Sequence, residues 1–565
     1  MQGQPHQSGG KTRNQPPHPS PQTAHLQPGV TMNNPAFTER GLMIDCSRGA
    51  VPSIPFLKRT AERLAAFGLT HLGLYTEDTY TVSGMPFIGF GRGAYTKDEI
   101  RDLDDFCLKL GIELFPCIQT LGHLEHIFKN PRFKPFSDAP RILKVNSPEA
   151  REFLEHIILE AAEPYRTNRI HLGADEPWGL GLGSSLDFSS PVPPKQLYLT
   201  HLAHLSEICA KHQLNGMIWS DYILGHSQNV PLNDDELRAI PQNLTLDYWN
   251  YSVLPEEEHI ANIRRLQKTG CTIWISPGLH SWNRFFGDFA RAVETGETFF
   301  RAAGKCGIRS AMTTLWGDDG AESLFRTNFA SAAYHLLSMD NPGNTLETTA
   351  ERVAAAGFPL ERFRLLNSLD NRAFIANDPP EVNWSAAKQL FYDDPLYGFL
   401  LRLTHLRDFG NTLEEVETKL RELPAVSAED RELRRLGRLF AKALRLKLNT
   451  SALAHMGWKQ KNRNTLRRAA RAARKAAEAV RAFGKEYEKQ WLDERKPFGL
   501  EIPQTRIAGV AKRLEHLTGR ICAFLKSGQP VPELELEFPD GYTPRDAGTA
   551  YASAASKCHN TIWMM

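Results

Sequence analysis

The chain has 565 residues, 41% hydrophobic and 23% charged, the make-up of an ordinary soluble globular protein with room for more than one domain. Its 67 basic and 65 acidic residues leave a formal net charge of +2, so no global field draws it toward nucleic acid or an anionic membrane. No stretch approaches the roughly eighteen apolar residues of a transmembrane helix. The eight cysteines are scattered with no close pair and read as buried free thiols in a reducing compartment, so the expected location is cytoplasmic.

Residues 1–38 are rich in Gln, Pro, His, Ser and Gly without an apolar run, and are expected to form a disordered tail. From Gly41 onward short apolar runs alternate with helical periods. Strands are predicted at Leu42–Asp45, His71–Thr76, Glu113–Gln119, Arg169–Gly173, Gly216–Ser220, Leu244–Trp249, Thr272–Ser276 and Ser310–Leu315. Helices are predicted at Ile54–Ala66, Thr96–Leu110, Ser147–Glu160, Lys195–His212, Pro255–Thr269 and Phe289–Cys306, with Ala321–Leu337 as the last. Strand and helix alternating eight times within some 300 residues defines an α/β fold, a (β/α)8 TIM barrel over 39–340. An all-α C-terminal domain follows over 341–540, then a tail over 541–565. Within the helical part, Leu466, Ala469, Ala473, Ala476, Val480 and Phe483 form an apolar stripe opposite Arg467, Arg468, Arg471, Arg474, Lys475 and Arg481. That pattern describes a packed helix with a solvated basic face, in a bundle docked on the barrel as a homodimer surface or a wall of the pocket. Strand-like alternation returns only at Glu533–Phe538.

In a parallel barrel the strands' C-terminal ends face the active-site mouth. Polar and aromatic residues gather at those ends: Asp45 and Arg48; Glu77, Asp78 and Tyr80; Gln119 and His123; Asp175 and Glu176; Trp219 and Asp221; Tyr248, Trp249 and Tyr251; Trp282; Trp316, Asp318 and Glu322. Taken singly, a Trp there is more often packing and an Asp more often a helix cap. Carboxylates, an arginine and several tryptophans around one mouth together suit a carbohydrate, whose hydroxyls take paired hydrogen bonds and whose C–H faces stack on indoles.

Asp175 and Glu176 are neighbours at one strand tip, whereas a retaining glycosidase with a carboxylate nucleophile draws two carboxyls, about 5 Å apart, from opposite sides of the sugar. A substrate that carries its own nucleophile, a 2-acetamido group, needs only one proton shuttle and one carboxylate to orient the amide. An acid catalyst must also hold its proton near neutrality, which a neighbouring carboxylate and indole walls favour.

The run His171, Leu172, Gly173, Ala174, Asp175, Glu176 resembles the signature of family 20 glycoside hydrolases, the β-N-acetylhexosaminidases, and the resemblance extends over about residues 41–340. It implies that Glu176 is the general acid/base and that Asp175 orients the acetamide N–H. Asp45-x-x-Arg48 resembles the motif whose arginine holds the sugar's O3 and O4. Gln119–His123 resembles the segment whose histidine approaches the catalytic pair. Trp219, Trp249 and Trp316 resemble the aromatic box, and Asp318 or Glu322 would bind O4 and O6. Asp78 and Trp282 complete the expected binding set. The family's acetamide-binding tyrosine is missing from the seventh strand, where Ile275, Ser276, Pro277 and Gly278 stand; Tyr251, or less readily Tyr248, is the substitute. The small α+β domain that precedes the barrel elsewhere in the family is absent from the pattern, which points to a compact subgroup.

The expected activity is therefore exo-hydrolysis of terminal β-linked GlcNAc or GalNAc with retention, through an oxazoline. The alternatives are a catalytically lapsed sugar-binding protein on the same barrel, or a glycosidase for unmodified sugars using Asp78 or Asp318 as a second carboxylate. The histidines lack metal-ligand spacing and Gly89, Gly91 and Gly93 do not follow a strand into a helix, so no metal or cofactor is expected.

Overall fold

The computed structural model describes residues 36–226, 230–341, 343–370, 375, 385–544 and 546; nearly all of the expected tail sequence lies outside these residues. Eight parallel strands, β1 (Glu39–Asp45), β2 (His71–Tyr75), β3 (Glu113–Cys117), β4 (Arg169–His171), β5 (Asn215–Trp219), β6 (Thr245–Asn250), β7 (Thr272–Pro277) and β8 (Ser310–Leu315), close into a barrel in chain order. The closure is a six-residue ladder from Glu39 opposite Ser310 to Ile44 opposite Leu315. Strands buried on both faces explain the continuous apolar runs: all five residues of β2 are buried. Ala36 and Phe37, assigned by sequence to the tail, already belong to the fold. Their amides donate to Asp340 and Met339 carbonyls (3.1 and 3.0 Å).

The outer helices start where capping residues dictate. Ser53 caps Ile54–Ala65, Ser147 caps Pro148–Ala162, and Thr96 forms a capping box with Glu99 ahead of Lys97–Lys109. Inside the barrel, Met43, Tyr75, Phe115, Cys117, Met217, Trp219, Trp274 and Met312 pack into one cluster, with Trp249 and Trp316 against it. Below them Arg169 bridges Glu39 (2.7 Å) and Glu113 (2.9 Å) and lies over the Trp274 ring. An ion cluster thus closes the N-terminal end, leaving the C-terminal end as the open one.

Two expectations are corrected. The last barrel helix runs Phe329–Asp340 rather than from Ala321, because 321–328 form a rim loop with a short 3-10 turn at Phe325–Thr327. Glu533–Phe538 is not a strand: Pro532–Glu535 is a helical turn, for which Pro at the first position suits a helix start. Among the described residues no helix is long and apolar enough to cross a membrane.

Two 32-residue helices, Ala428–Lys459 and Arg463–Glu494, form an antiparallel pair flanked by Leu406–Glu422 and Glu501–Ser527. The predicted stripe from Leu466 to Phe483 is buried and the arginines opposite it are exposed. The barrel's hydrophobic core continues into these helices without a break. At the seam, buried Glu494 accepts from the Phe325 amide (2.7 Å) and from the Arg326 amide and Nε (3.2 and 2.6 Å), while Arg326 also pairs with Glu432 and Asp493.

Removing one partner of a buried, hydrogen-bonded ion pair strands the other, so Glu494→Ala should cost about 3–5 kcal/mol. Denaturant unfolding of the variant checks this; a loss below about 1 kcal/mol would mean that the seam does not depend on the pair.

Candidate active site

The loops that leave the strands' C-terminal ends carry an unusual amount of strained backbone. Of ten non-glycine residues with positive φ among the described residues, eight lie there: Glu77, His123, Ala174, Glu176, His280, Asn283, Asp319 and Ala321. Such conformations cost of order 1–3 kcal/mol each and persist where the surroundings over-determine them. After β4 the backbone is left-handed at Gly173 (φ 66°), Ala174 (φ 68°) and Glu176 (φ 42°), the turn that carries the two acids.

Asp175 is pinned. Gln119 Nε2 donates to its Oδ1 at 2.7 Å and His123 Nε2 stands 3.2 Å from Oδ2. Burial acts to raise the Asp175 carboxyl's pKa, but the His123 charge and hydrogen bond, together with Gln119, outweigh it and hold it below the usual range. Glu176 stands at the same ring nitrogen but farther off, 3.5 Å from Nε2, and its side chain is 20% exposed against 9% for Asp175. One acid is therefore a fixed, ionised acceptor and the other faces the solvent of the mouth.

Arg141 Nη2 stands 2.7 Å from His123 Nδ1 and 3.3 Å from Nε2, against the ring that faces the acids. Burial would lower the ring's pKa, yet the Asp175 charge and the hydrogen bonds to Asp175 and Glu176 raise it to about 10 against the charge of Arg141.

The network continues around the rim. Gln119 Nε2 also donates to the Tyr75 hydroxyl (2.7 Å), which donates to Glu77 Oε1 (3.0 Å), and Glu77 pairs with Arg48. Burial, opposed by Arg48, pushes the Glu77 carboxyl up to about 7. Arg48 also reaches Asp318 (3.3 Å), whose side chain is 36% exposed and close enough for the charges of Glu176 and His123 to act on it. Asp45 ties β1 to the β8 loop by accepting from the Ser47 and Gly317 amides (2.8 and 2.9 Å).

Opposite this polar arc stand the aromatics. The Tyr251 ring stacks on Trp249 (centroids 4.9 Å apart, 22°) and packs against Trp282 (5.0 Å). Its hydroxyl accepts from Trp316 Nε1 (2.6 Å) and Thr314 Oγ1 (3.2 Å), so its own proton is left to donate elsewhere. Trp316 meets Tyr75 edge-on (4.7 Å) and lies 6.1 Å from Trp219, which is fully buried over His171. Tyr248 is directed away, its hydroxyl near His259 Nδ1 (3.2 Å) and Asn262 Nδ2 (3.0 Å). The structure thus favours Tyr251 over Tyr248 as the hydroxyl at the mouth.

Ten of the twelve residues expected at the site are brought together: Arg48, His123, Asp175, Glu176, Trp219, Trp249, Tyr251, Trp282, Trp316 and Asp318. Asp78 is instead buried against Arg92 (2.8 Å). Glu322 is corrected from a sugar ligand to a structural anion. Its carboxylate is buried toward the C-terminal helices, paired with Lys388 (2.7 Å) and Arg506 (3.4 Å) and accepting from the Tyr392 hydroxyl. Five participants went unassigned in the sequence. Glu77 and Gln119 stood in the rim pattern, and Tyr75 one residue short of it. Asp221 stood there too, and its buried Oδ2 accepts from the Glu176 amide (3.0 Å). Arg141 had no signal, since it sits on a hairpin (Ser137–Ala139, Ile142–Leu143) far from any strand tip.

Under the acids lies a fully buried polar pair. His171 Nδ1 accepts from the Gly173 amide (3.1 Å), leaving Nε2 3.7 Å from Asp247 Oδ2, and Ser276 donates to Asp247 Oδ1 (2.8 Å). Burial lowers His171 to about 3 and raises Asp247 to about 7, so both are neutral in mildly acidic solution.

A barrel whose acid-bearing loops meet at its C-terminal mouth is the frame of an enzyme active site. A family model described as "Glycosyl hydrolase family 20, catalytic domain" matches residues 37–278, and one described as "Glycoside Hydrolase 20C C-terminal domain" matches residues 361–550. The chain belongs to glycoside hydrolase family 20. Among curated proteins it is similar to Hexosaminidase D of Homo sapiens, 22% identical over 216 residues, covering 36% of this chain and 43% of that protein. It is similar to a beta-hexosaminidase of Akkermansia muciniphila, 26% identical over 178 residues, 26% of this chain and 36% of that one. The matched region spans less than half the length of both relatives. Among solved structures it is similar to a GH20 exo beta-N-acetylglucosaminidase of Vibrio harveyi bound to N-acetylglucosamine, with TM-score 0.45, 17% identity and 59% of each chain covered.

A Cβ on Gly173 would stand 2.1 Å from Gln119 Oε1 at a backbone angle that disfavours it. Gly173→Ala should displace Gln119 from Asp175 and lower glycosidase kcat about 100-fold. Steady-state kinetics check this, and unchanged kcat would mean that Gln119 does not position Asp175. For Asp247, a carboxyl raised in the folded state penalises folding as pH rises from about 4 through 7, a cost of about 4 kcal/mol for three pH units. Asp247→Asn should therefore gain stability relative to wild type at pH 8 and little at pH 4 in thermal melts; equal differences at both pH values would contradict the buried, unpaired carboxylate.

Proposed function

We propose that the protein is an exo-acting β-N-acetylhexosaminidase that releases terminal β-linked GlcNAc or GalNAc with retention by a substrate-assisted mechanism. The observation that carries this is the unequal treatment of the two adjacent acids. Asp175 is immobilised and ionised between Gln119 and His123, which suits an acceptor for an amide N–H and not a nucleophile that must approach C1. Glu176 is the acid left facing the mouth.

In this reading the sugar lies against the wall of Trp249, Trp282 and Trp316 over Trp219, with Arg48 on O3 and O4 and Asp318 on O4 and O6. Asp175 accepts the acetamide N–H while the Tyr251 hydroxyl donates to the acetamide oxygen and aims it at C1. That oxygen forms the C1–O bond of an oxazoline as the glycosidic C1–O bond breaks, and the Glu176 proton passes to the departing oxygen. Glu176, now a carboxylate, takes a proton from water, whose oxygen attacks C1 from the vacated face and reopens the ring. Two displacements at C1 retain the β configuration.

The intact acid pair weighs against a lapsed sugar-binding protein. The engagement of Asp78 by Arg92 weighs against Asp78 as a second carboxylate acting across the cleft, and the pairing of Asp318 with Arg48 weighs against Asp318 in that role.

Hydrolysis of aryl β-GlcNAc and β-GalNAc, set beside the matching β-glucoside, tests the proposal with wild type, Glu176→Gln and Tyr251→Phe. Only the acetamido substrates should turn over, Glu176→Gln should abolish hydrolysis of poor leaving groups, and Tyr251→Phe should lose about 100-fold in kcat as an oxyanion donor does. Comparable cleavage of the glucoside would contradict the mechanism.

A further inference from the structure

The segment directly after the general acid, 177–193, carries apolar side chains that the fold does not bury: Trp178 is 39% exposed, and Leu182, Phe188 and Val192 are exposed as well. A large exposed aromatic beside a catalytic group calls for a physical reason. Trp178 follows Glu176 by two residues, and its amide donates back to the Glu176 carbonyl at 2.7 Å in a tight turn. Arg141 lies over the ring, 5.3 Å from its centroid, and the same guanidinium holds His123. Trp178, Arg141, His123 and Glu176 therefore form one continuous set at the edge of the mouth.

The loop is also held rigid. Asp138, buried on the hairpin that carries Arg141, accepts from the Gly181 and Ser185 amides through its carboxylate (2.7 Å each), and its carbonyl accepts from the Ser184 amide (2.7 Å). The approach is so close that a Cβ on Gly183 would stand 1.9 Å from the Asp138 carbonyl oxygen. A flexible apolar loop would lose much of its binding energy to ordering, whereas this one is ordered beforehand.

We propose that Trp178 is the platform for the leaving group of the reaction described above: its indole takes the flat C–H face of a pyranose joined to the oxygen that Glu176 protonates. The position dictates the occupant. Whatever departs from C1 is bonded to the oxygen nearest Glu176, so a flat apolar surface fixed beside that acid meets the aglycone and not the terminal sugar. The enzyme accordingly selects β-linked oligosaccharides whose penultimate unit is a sugar ring over glycosides of small alcohols. The inference rests on the hexosaminidase reading, and its test is built on binding so that the two can fail separately.

The probes are two sulfur-linked compounds that resist hydrolysis, a disaccharide of N-acetylglucosamine and the methyl β-thioglycoside of the same sugar, titrated by calorimetry into wild type, Trp178→Ala and Trp178→Phe. Wild type should bind the disaccharide about tenfold more tightly than the methyl compound, the gain typical of one aromatic stacking contact. Trp178→Ala should bring the ratio close to one, and Trp178→Phe should keep most of the preference. Equal affinities in wild type, or an unchanged ratio in Trp178→Ala, would overturn the proposal. Aryl β-GlcNAc turnover in the same preparations reports on the parent reading alone: its absence from wild type would remove that reading while the binding ratio still decides the platform.

Discussion

Two carboxylates on consecutive residues ordinarily experience nearly the same field, and the site works only if they do not. Along the left-handed backbone at Gly173, Ala174 and Glu176 they share His123 Nε2, but only Asp175 is also held by Gln119, and Glu176 keeps the greater exposure. That strain is offset by hydrogen bonds made to the turn itself. Gln119 Oε1 accepts from the Ala174 amide (3.3 Å), His171 from Gly173, and Asp221 from Glu176. A single side chain, Gln119, thus holds the turn with its carbonyl and Asp175 with its amide, and relays to Glu77 and Arg48 through Tyr75. Much of the polar rim depends on that one residue being fixed.

The helical region is part of the same construction. Arg506 and Lys388 grip Asp319 (both 2.8 Å), the residue after Asp318, and Arg495 donates to the Ser323 carbonyl (2.6 Å). Asp319 and Ala321 adopt positive φ between these contacts. The angle at which Asp318 meets Arg48 is therefore set from outside the barrel, by side chains on helices that never approach the acids. Glu322 completes this clamp, which explains why an acid at a strand tip does not serve the mouth.

The barrel was legible because each strand is a short apolar run bounded by turn residues, and its predicted limits lie within three residues of those observed. The rim was legible for the same reason, since the position after a strand predicts its exposure to the mouth. What the sequence could not separate is which rim carboxylate faces substrate and which is consumed by an ion pair. Asp78 and Glu322 have the same local setting as Asp318; Arg92 reaches Asp78 from within the same loop, and Lys388 and Arg506 reach Glu322 from distant parts of the chain. Arg141 and the hairpin beneath Trp178 were invisible for a related reason: two strands of three and two residues leave almost no period to read. The start of the last barrel helix was misplaced because Ala321, Leu324 and Phe325 of the rim loop keep the helical spacing of apolar residues.

The central claim is that the substrate's acetamide supplies the nucleophile while Asp175 orients it. The most direct measurement is kcat/KM for aryl β-glycosides of glucosamine whose N-acetyl group carries zero, one, two or three fluorines, since fluorine weakens the carbonyl oxygen as a nucleophile while changing its size little. The account predicts a steep, monotonic fall in log kcat/KM along the series; a flat series would mean that a group of the protein attacks C1 and would contradict it.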